Sequence, residues 1–320
     1  MESVQRWWQD LSGLVLPAEC GGCGTARTVL CHRCRAALHG TAPRRVRPDP
    51  EPPGLPAVHA AARYADEVRA VLLAHKERGA LALTRPLGTA LAGAVRVGLE
   101  EVGAGEGEGP PPPASSRAVL LVPVPSARRA IRSRGHDPAR RIALAAAAEL
   151  RAARVPVRVA AVLRQRRVVA DQTGLNSRQR LDNLFGALAV AAGGARLLCG
   201  ADAVVLVDDL VTTGASLAEA ARAVRAAMET HRTAEVPGPP VRGTRRTGAA
   251  GRAAGEVGVA AVYDSVAREG KEVRPSEARK GGTDPVPVRV RPLGAARSSG
   301  LLRAAVVAAP PDAFERNNRN

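Results

Sequence analysis

One stretch constrains this chain more than any other: Val204-Val205-Leu206-Val207-Asp208-Asp209-Leu210-Val211-Thr212-Thr213-Gly214-Ala215-Ser216. Four consecutive apolar residues leave a strand without a polar face, so both sides must be covered, as in the centre of a parallel sheet. The polarity then switches to two adjacent carboxylates. A Thr-Thr-Gly turn follows, and the Ala-rich run from Ala215 to Ala227 reads as a helix. Strand, acidic pair, turn and helix predict an α/β chain with an open, mainly parallel sheet and flanking helices. Asp208 and Asp209 fall at the strand's carboxyl end, where such sheets bind ligands, and can accept from vicinal hydroxyls. The amides from Thr212 to Ser216 and the helix N-terminus offer a nest for a phosphate. Gly214 lets the backbone approach the ligand, and the Thr and Ser hydroxyls add donors. The plainer reading, acids that merely cap the helix, needs fewer than two of them.

The other apolar runs supply partners for that strand. Ala57–Tyr64, Ala118–Val122 and Val155–Leu163 read as strands, and Leu184–Val190 returns to strand character. Asp66–His75 reads as a helix with Val68, Val71 and Leu72 on one face, and Lys76 follows its end. Leu81–Val102 and Pro138–Ala153 are further helices, and a short one is expected over residues 4–16. Val122 runs into Pro123-Val124-Pro125-Ser126, a rigid loop. Arg128, Arg129, Arg132 and Arg134 come next and suit a pyrophosphate. Residues 164–182 show no apolar period and read as a mobile loop able to close over the site. Pro- and Arg-rich residues 43–56 read as a linker, and residues 103–116 as a second flexible connection.

Near the start stand Cys20-Gly21-Gly22-Cys23 and, seven residues on, Cys31-His32-Arg33-Cys34. Two Cys-x-x-Cys pairs so close read as a four-thiolate tetrahedral site for zinc. Gly21, Gly22 and Gly24 permit the tight knuckles. Two disulfides are the alternative, which a cytoplasmic chain disfavours. A redox pair would need only one of the two motifs. Cys199 stands apart and reads as a small buried apolar residue.

Composition limits the partners. Aromatic residues make up only 2% of the 320, so the core must be aliphatic, and a base-stacking platform for single strands is disfavoured. The formal charge is +17, and residues 117–184 hold 15 Arg against four acidic residues. That face can keep the chain dissolved or meet a polyanion, whether pyrophosphate or nucleic acid. Of 47 basic residues only Lys76, Lys271 and Lys280 are lysines. No uncharged apolar run approaches the roughly 18 residues of a membrane span, and the start does not read as a signal peptide, so a cytoplasmic protein is expected.

The 204–216 stretch closely resembles the phosphoribosyl pyrophosphate (PRPP) motif of type I phosphoribosyltransferases. Together with the paired Cys-x-x-Cys, Tyr64 with Lys76, Val122-Pro123-Val124-Pro125, Arg134-Gly135, Gln172 to Leu175, and Arg178 with Asn183, it resembles the ComF family in motif order. That resemblance implies a phosphoribosyltransferase-like domain behind a zinc ribbon. It implies a PRPP site at Asp208, Asp209, Thr212, Thr213, Gly214, Ala215 and Ser216. In an enzyme of this type Arg128, Arg129 or Arg134 would steady the pyrophosphate, Mg²⁺ would accompany PRPP, and Zn²⁺ would sit on Cys20, Cys23, Cys31 and Cys34. Many members are tied to uptake of single-stranded DNA in competence, so a non-catalytic accessory role with DNA or DNA-uptake proteins is the second reading. The expected division is residues 1–42 helix and ribbon, 43–56 linker, 57–228 phosphoribosyltransferase-like domain, 229–300 low-complexity insertion, and 301–320 closing strand and tail. The pattern departs from the family after Ala227, where the next strand is delayed. Val257–Val262 or Arg303–Ala309 can supply it, and the second is favoured for its Pro- and Phe-containing tail.

Overall fold

The computed structural model describes residues 19–103, 118–169, 174, 176–235 and 301–315. The helix expected over 4–16, the connection over 103–116 apart from Gly103, residues 236–300 of the expected 229–300 insertion and, within them, the candidate strand Val257–Val262 lie outside them.

The described chain begins with α1 (His32–His39), β1 (Arg44–Val46), β2 (Val58–Arg63), α2 (Asp66–Glu77), a single 3₁₀ turn (Leu81–Leu83) and α3 (Thr84–Gly103). It continues with β3 (Val119–Pro123), α4 (Arg128–Arg134), α5 (Pro138–Ala152), β4 (Val157–Val159) and β5 (Leu163–Gln165). Then come α6 (Ser177–Leu184), β6 (Leu188–Val190), α7 (Gly194–Cys199), β7 (Ala203–Leu210), α8 (Ala215–Glu235), β8 (Leu301–Ala309) and α9 (Pro311–Glu315).

Six strands form one sheet in the order β1-β2-β8-β7-β3-β4. β1 runs antiparallel to β2, and the remaining pairings are parallel. β7 is therefore interior, with Val207 opposite Pro123 on one side and Ala305 on the other. Alternation along it feeds two cores. Val205 and Val207 join Val71, Leu87, Leu91 and Ile142 on the α2–α3–α5 face, while Val204 and Leu206 join Leu217, Ala220 and Val224 on the α8 face. Consecutive apolar residues are required because each face meets helices. With few large side chains, close approach replaces bulk: a Cβ on Gly88 of α3 would lie 2.4 Å from that of Ala145 in α5. β8, favoured in sequence as the late strand, lies between β2 and β7.

Several expectations need correction. The run Val155–Leu163 is divided between β4, at the sheet edge, and β5, which pairs antiparallel with β6. Val162 N–H donates to the Ala160 carbonyl at 2.9 Å, a tight turn that an apolar run conceals. The linker 43–56 contains β1, where Arg44 tops the Phe314 ring at 5.5 Å; an edge strand tolerates such charge. The loop 164–182 contains β5's end and most of α6. That helix is started by a capping box, with Asn176 Oδ1 accepting from Gln179 N–H and Gln179 Oε1 from Asn176 N–H, both 2.9 Å. α6 buries only Leu184, so it leaves no apolar period. Leu184–Val190 is strand only from Leu188, and α8 runs on to Glu235, past residue 228.

Candidate functional site

The site lies where β7 ends. Beyond Val207 the alternation sends Asp209 towards α2 and Asp208 the other way. Asp209 is buried, 5% exposed, and its Oδ2 accepts from Lys76 Nζ at 2.9 Å. Asp208 turns its Oδ1 back to the Asp209 N–H at 2.8 Å. Protein atoms surround the Asp208 carboxyl although part of the residue reaches solvent. Burial, then the Asp209 charge, pushes it well above the usual carboxylate range, and Lys76 opposes the rise. The acids therefore differ: Asp209 is paired with a lysine, and Asp208 is pushed towards its protonated form.

After Leu210 the chain turns. Val211 N–H still donates to Ala308 O at 3.1 Å, and Ala218 N–H to Gly214 O at 2.9 Å. Between them the amides of Thr212, Thr213, Gly214, Ala215, Ser216 and Leu217 have no acceptor among the described residues, nor do the Thr212, Thr213 and Ser216 hydroxyls. Gly214 has φ +74°, in the left-handed region. The sequence assigned this glycine to a close ligand approach, and its packing against the protein supplies a second reason. A Cβ would meet Leu55, Pro48 and Pro52 at 3.1–3.3 Å. The 47–56 segment thus walls the turn, and Arg225 Nη1 pins it through the Gly54 carbonyl at 2.6 Å.

Behind Lys76 stands a group that sequence reasoning did not assign. His75 and His136 meet edge to face, centroids 5.8 Å apart. His75 Nε2 faces Thr84 Oγ1 at 3.1 Å, and His136 Nε2 faces the His75 carbonyl at 3.2 Å. Burial, then His136, holds His75 down at about 4, against a pull from Asp209. Asp137 caps α5 through Arg140 N–H at 3.2 Å; burial raises its carboxyl above the ordinary value. Lys76 is raised: Asp209 and Asp208 outweigh the burial that opposes them.

The three arginines are placed differently. Arg134 is 16% exposed, with Nε 3.8 Å from Glu77 Oε2, and its buried Nη1 has no partner among the described residues. It lies close enough to Lys76 to repel it. Arg129 is exposed on α4, and Arg128 opens that helix. Lys76 was named from the sequence, with Tyr64, as part of the family resemblance, but was not assigned to the site. Composition also marked it: it is the only lysine among the described residues of a chain whose cations are otherwise arginine.

A separate centre is built by the knuckles. The sulfurs of Cys20, Cys23, Cys31 and Cys34 lie within 4.8 Å of one another, Cys23 and Cys31 at 3.4 Å, and none is in a disulfide. Four sulfurs about 2.3 Å from one zinc would stand about 3.8 Å apart, so the set can hold a metal ion such as zinc. Cys23 falls to about 6, chiefly through the Thr25 hydroxyl 3.0 Å away, while burial pushes Cys34 up. A Cβ on Gly22 would stand 2.6 Å from Cys34 Sγ, so this glycine makes room for a ligand sulfur. His32 is exposed and outside the cluster, and Cys199 is half-buried, its Sγ 3.8 Å from the Met228 carbonyl.

No protein-family model matches the chain, and no curated protein matches it significantly. The chain is an α/β structure with a mostly parallel mixed sheet, flanking helices and a four-cysteine cluster in its first forty residues. Among the described residues, no helix is long and apolar enough to cross a membrane.

Proposed function

We propose that the protein binds PRPP or a related sugar phosphate as a phosphoribosyltransferase-like protein of the ComF type, and that it transfers phosphoribose to an acceptor with release of pyrophosphate. The observation that carries this reading is the run of six amides, Thr212 to Leu217, without acceptors among the described residues, which begins three positions after the carboxylate pair at a strand's carboxyl end. Donors without acceptors favour an anion, and adjacent carboxyl groups favour hydroxyls; a phosphorylated sugar offers both. The 5-phosphate is assigned to the Thr212–Ser216 turn and the ribose hydroxyls to Asp208 and Asp209.

Lys76 spends one of its three donors on Asp209. The others, with the guanidinium of the nearby Arg134, suit a diphosphate as charge develops on it. Arg129 and Arg128 begin the next helix and would extend that cationic side. Mg²⁺ accompanying the diphosphate would take hard oxygen ligands from the phosphates and the sugar and would supply charge neutralisation for the leaving group, while Asp208 and Asp209 hold the ribose hydroxyls. An acceptor nitrogen would attack C1 of the ribose as the C1–O bond to pyrophosphate breaks, the electron pair leaving with the pyrophosphate.

The test is thermal unfolding with PRPP and Mg²⁺. At about 100 times Kd the ligand contributes about 2.7 kcal/mol, roughly 5–10 °C for a chain this size. Asp208→Ala with Asp209→Ala should remove the shift. No shift in the wild type, or an unchanged shift in the double variant, overturns the reading. Pyrophosphate release assayed across bases and amines then tests transfer.

A further inference from the structure

We infer that the four-cysteine centre positions Lys76, so that metal occupancy at the cysteines sets how tightly the Asp208–Asp209 site holds its ligand. The inference rests on the proposed PRPP reading only for its choice of ligand.

α2 is the connecting piece, held by the knuckles at both ends. At its start, Glu67 pairs with Arg33, which lies between Cys31 and Cys34; Arg33 Nε donates to Glu67 Oε1 at 2.6 Å. At its end, Arg78 Nη2 donates to the carbonyl of Gly21, between Cys20 and Cys23, at 3.3 Å. In the middle, a Cβ on Gly22 would stand 3.1 Å from Val71 Cγ2, and one on Gly21 would stand 2.5 Å from Leu83 Cδ1 in the turn after α2. Lys76 lies two residues before Arg78. The turn that carries the ammonium is thus supported by a knuckle carbonyl on one side and by Asp209 on the other.

The ion pair alone would transmit little, since Arg33 is 76% exposed. Packing gives the contact its stiffness. Cys20, Cys34 and Leu38 are buried in one core with Val71, Leu72 and Leu83. The knuckles hold themselves by a handful of bonds: Cys20 N–H to Thr25 O at 2.7 Å, Gly21 N–H to Val29 O at 3.1 Å, Gly24 N–H to Cys20 O at 3.0 Å, Arg35 N–H to Cys31 O at 2.9 Å, Cys31 N–H to Cys20 Sγ at 3.3 Å, and Cys23 Sγ with the Thr25 hydroxyl at 3.0 Å. Four sulfurs converging on one point need a cation to stay there as thiolates. Emptying the centre frees the first knuckle, moves the Gly21 carbonyl and releases the last turn of α2. His75 keeps its contacts to Thr84 and His136, so the coupling is partial.

The experiment uses the full chain, zinc-loaded or stripped with a chelator that is then dialysed away. It adds Arg78→Ala and Arg78→Lys, both zinc-loaded, with metal content measured throughout. Two readouts are taken: PRPP–Mg²⁺ affinity by calorimetry, and hydrogen exchange of peptides covering 66–78, 119–123 and 203–210. Stripping should weaken PRPP binding about fivefold or more, a modest coupling between sites. It should also speed exchange across 72–78 while 119–123 stays protected. Arg78→Ala should weaken binding about two- to threefold at full zinc content, with Arg78→Lys recovering part of the loss. Unchanged affinity and unchanged 66–78 exchange after stripping overturn the inference. If stripping also exposes 119–123, the chain has opened globally and the zinc-loaded Arg78→Ala result decides. If zinc-loaded wild type binds no PRPP, the proposed function falls, while the 66–78 exchange still decides the coupling.

Discussion

Replacing His75 with Gln isolates one titration in the wall of the site. The ring is fully buried; its Nε2 faces Thr84 Oγ1 at 3.1 Å, and its Nδ1 has no partner among the described residues. A neutral ring that donates from Nε2 leaves Nδ1 as a bare lone pair, which is tolerable. A protonated ring must bury an N–H without an acceptor, beside His136. Burial first, and His136 second, hold the folded value at about 4 against the ordinary 6.5. The unfolded chain therefore takes up a proton here below pH 6.5, and the folded chain does not until about pH 4. Stability from this group is complete above the unfolded value and is lost as pH falls through that window. Each pH unit removes roughly 1.4 kcal/mol, about 2 kcal/mol by pH 5 and about 3 kcal/mol by pH 4. His75→Gln should cost about 1–2 kcal/mol at pH 7 through lost packing. That penalty should shrink and disappear, or reverse, by pH 5, because Gln has no proton to gain. The assay is urea unfolding of both proteins at pH 7, 6 and 5. Protonation of the cysteine centre and the carboxylates is common to both and cancels in the difference. Parallel pH dependences would refute the argument and place the ring in a solvated setting.

Two other substitutions probe the scaffold. Glu219 Oε1 accepts from the Leu188 N–H at 2.9 Å and its Oε2 from Arg222 Nε at 2.6 Å, with the side chain 3% exposed. Glu219→Ala should lower stability by about 2–3 kcal/mol in urea unfolding, because it leaves a buried amide unpaired; a loss under about 0.5 kcal/mol would refute this. Gly214→Ala forces a Cβ into a left-handed position against Leu55, Pro48 and Pro52. It should cost about 1–3 kcal/mol and reduce the PRPP-induced rise in Tm, whereas an unchanged Tm would mean that the turn relaxes freely.

Legibility in the sequence followed the range of the interaction. The strand through Val204–Val207, the acids after it and the helix from Ala215 are local patterns, and the structure keeps them in one piece. The four cysteines were equally readable, since a metal site of this kind is written in spacing. Short elements were not: α6 and α7 are too brief or too polar to show a period, and β4 and β5 share one apolar run that a turn at Ala160–Val162 divides. Gly214 was recognised in the sequence for its backbone freedom, and the contacts added a steric reason out of its reach, since the Pro48–Leu55 wall comes from a segment that read as linker.

By itself, the sequence determined that a central strand must be covered on both faces, that two carboxylates meet an amide-rich turn at its end, and that four thiols gather near the start. Each is a property of neighbours along the chain, set by period and spacing. Only the tertiary structure decided that Asp209 is held by Lys76, that Asp208 is pressed towards its neutral form, and that α2 joins the cysteine knuckles to that pair. These depend on which residues burial brings together from distant parts of the chain, 57 positions apart for Arg78 and Gly21, and on what burial does to charge, neither of which a linear pattern records.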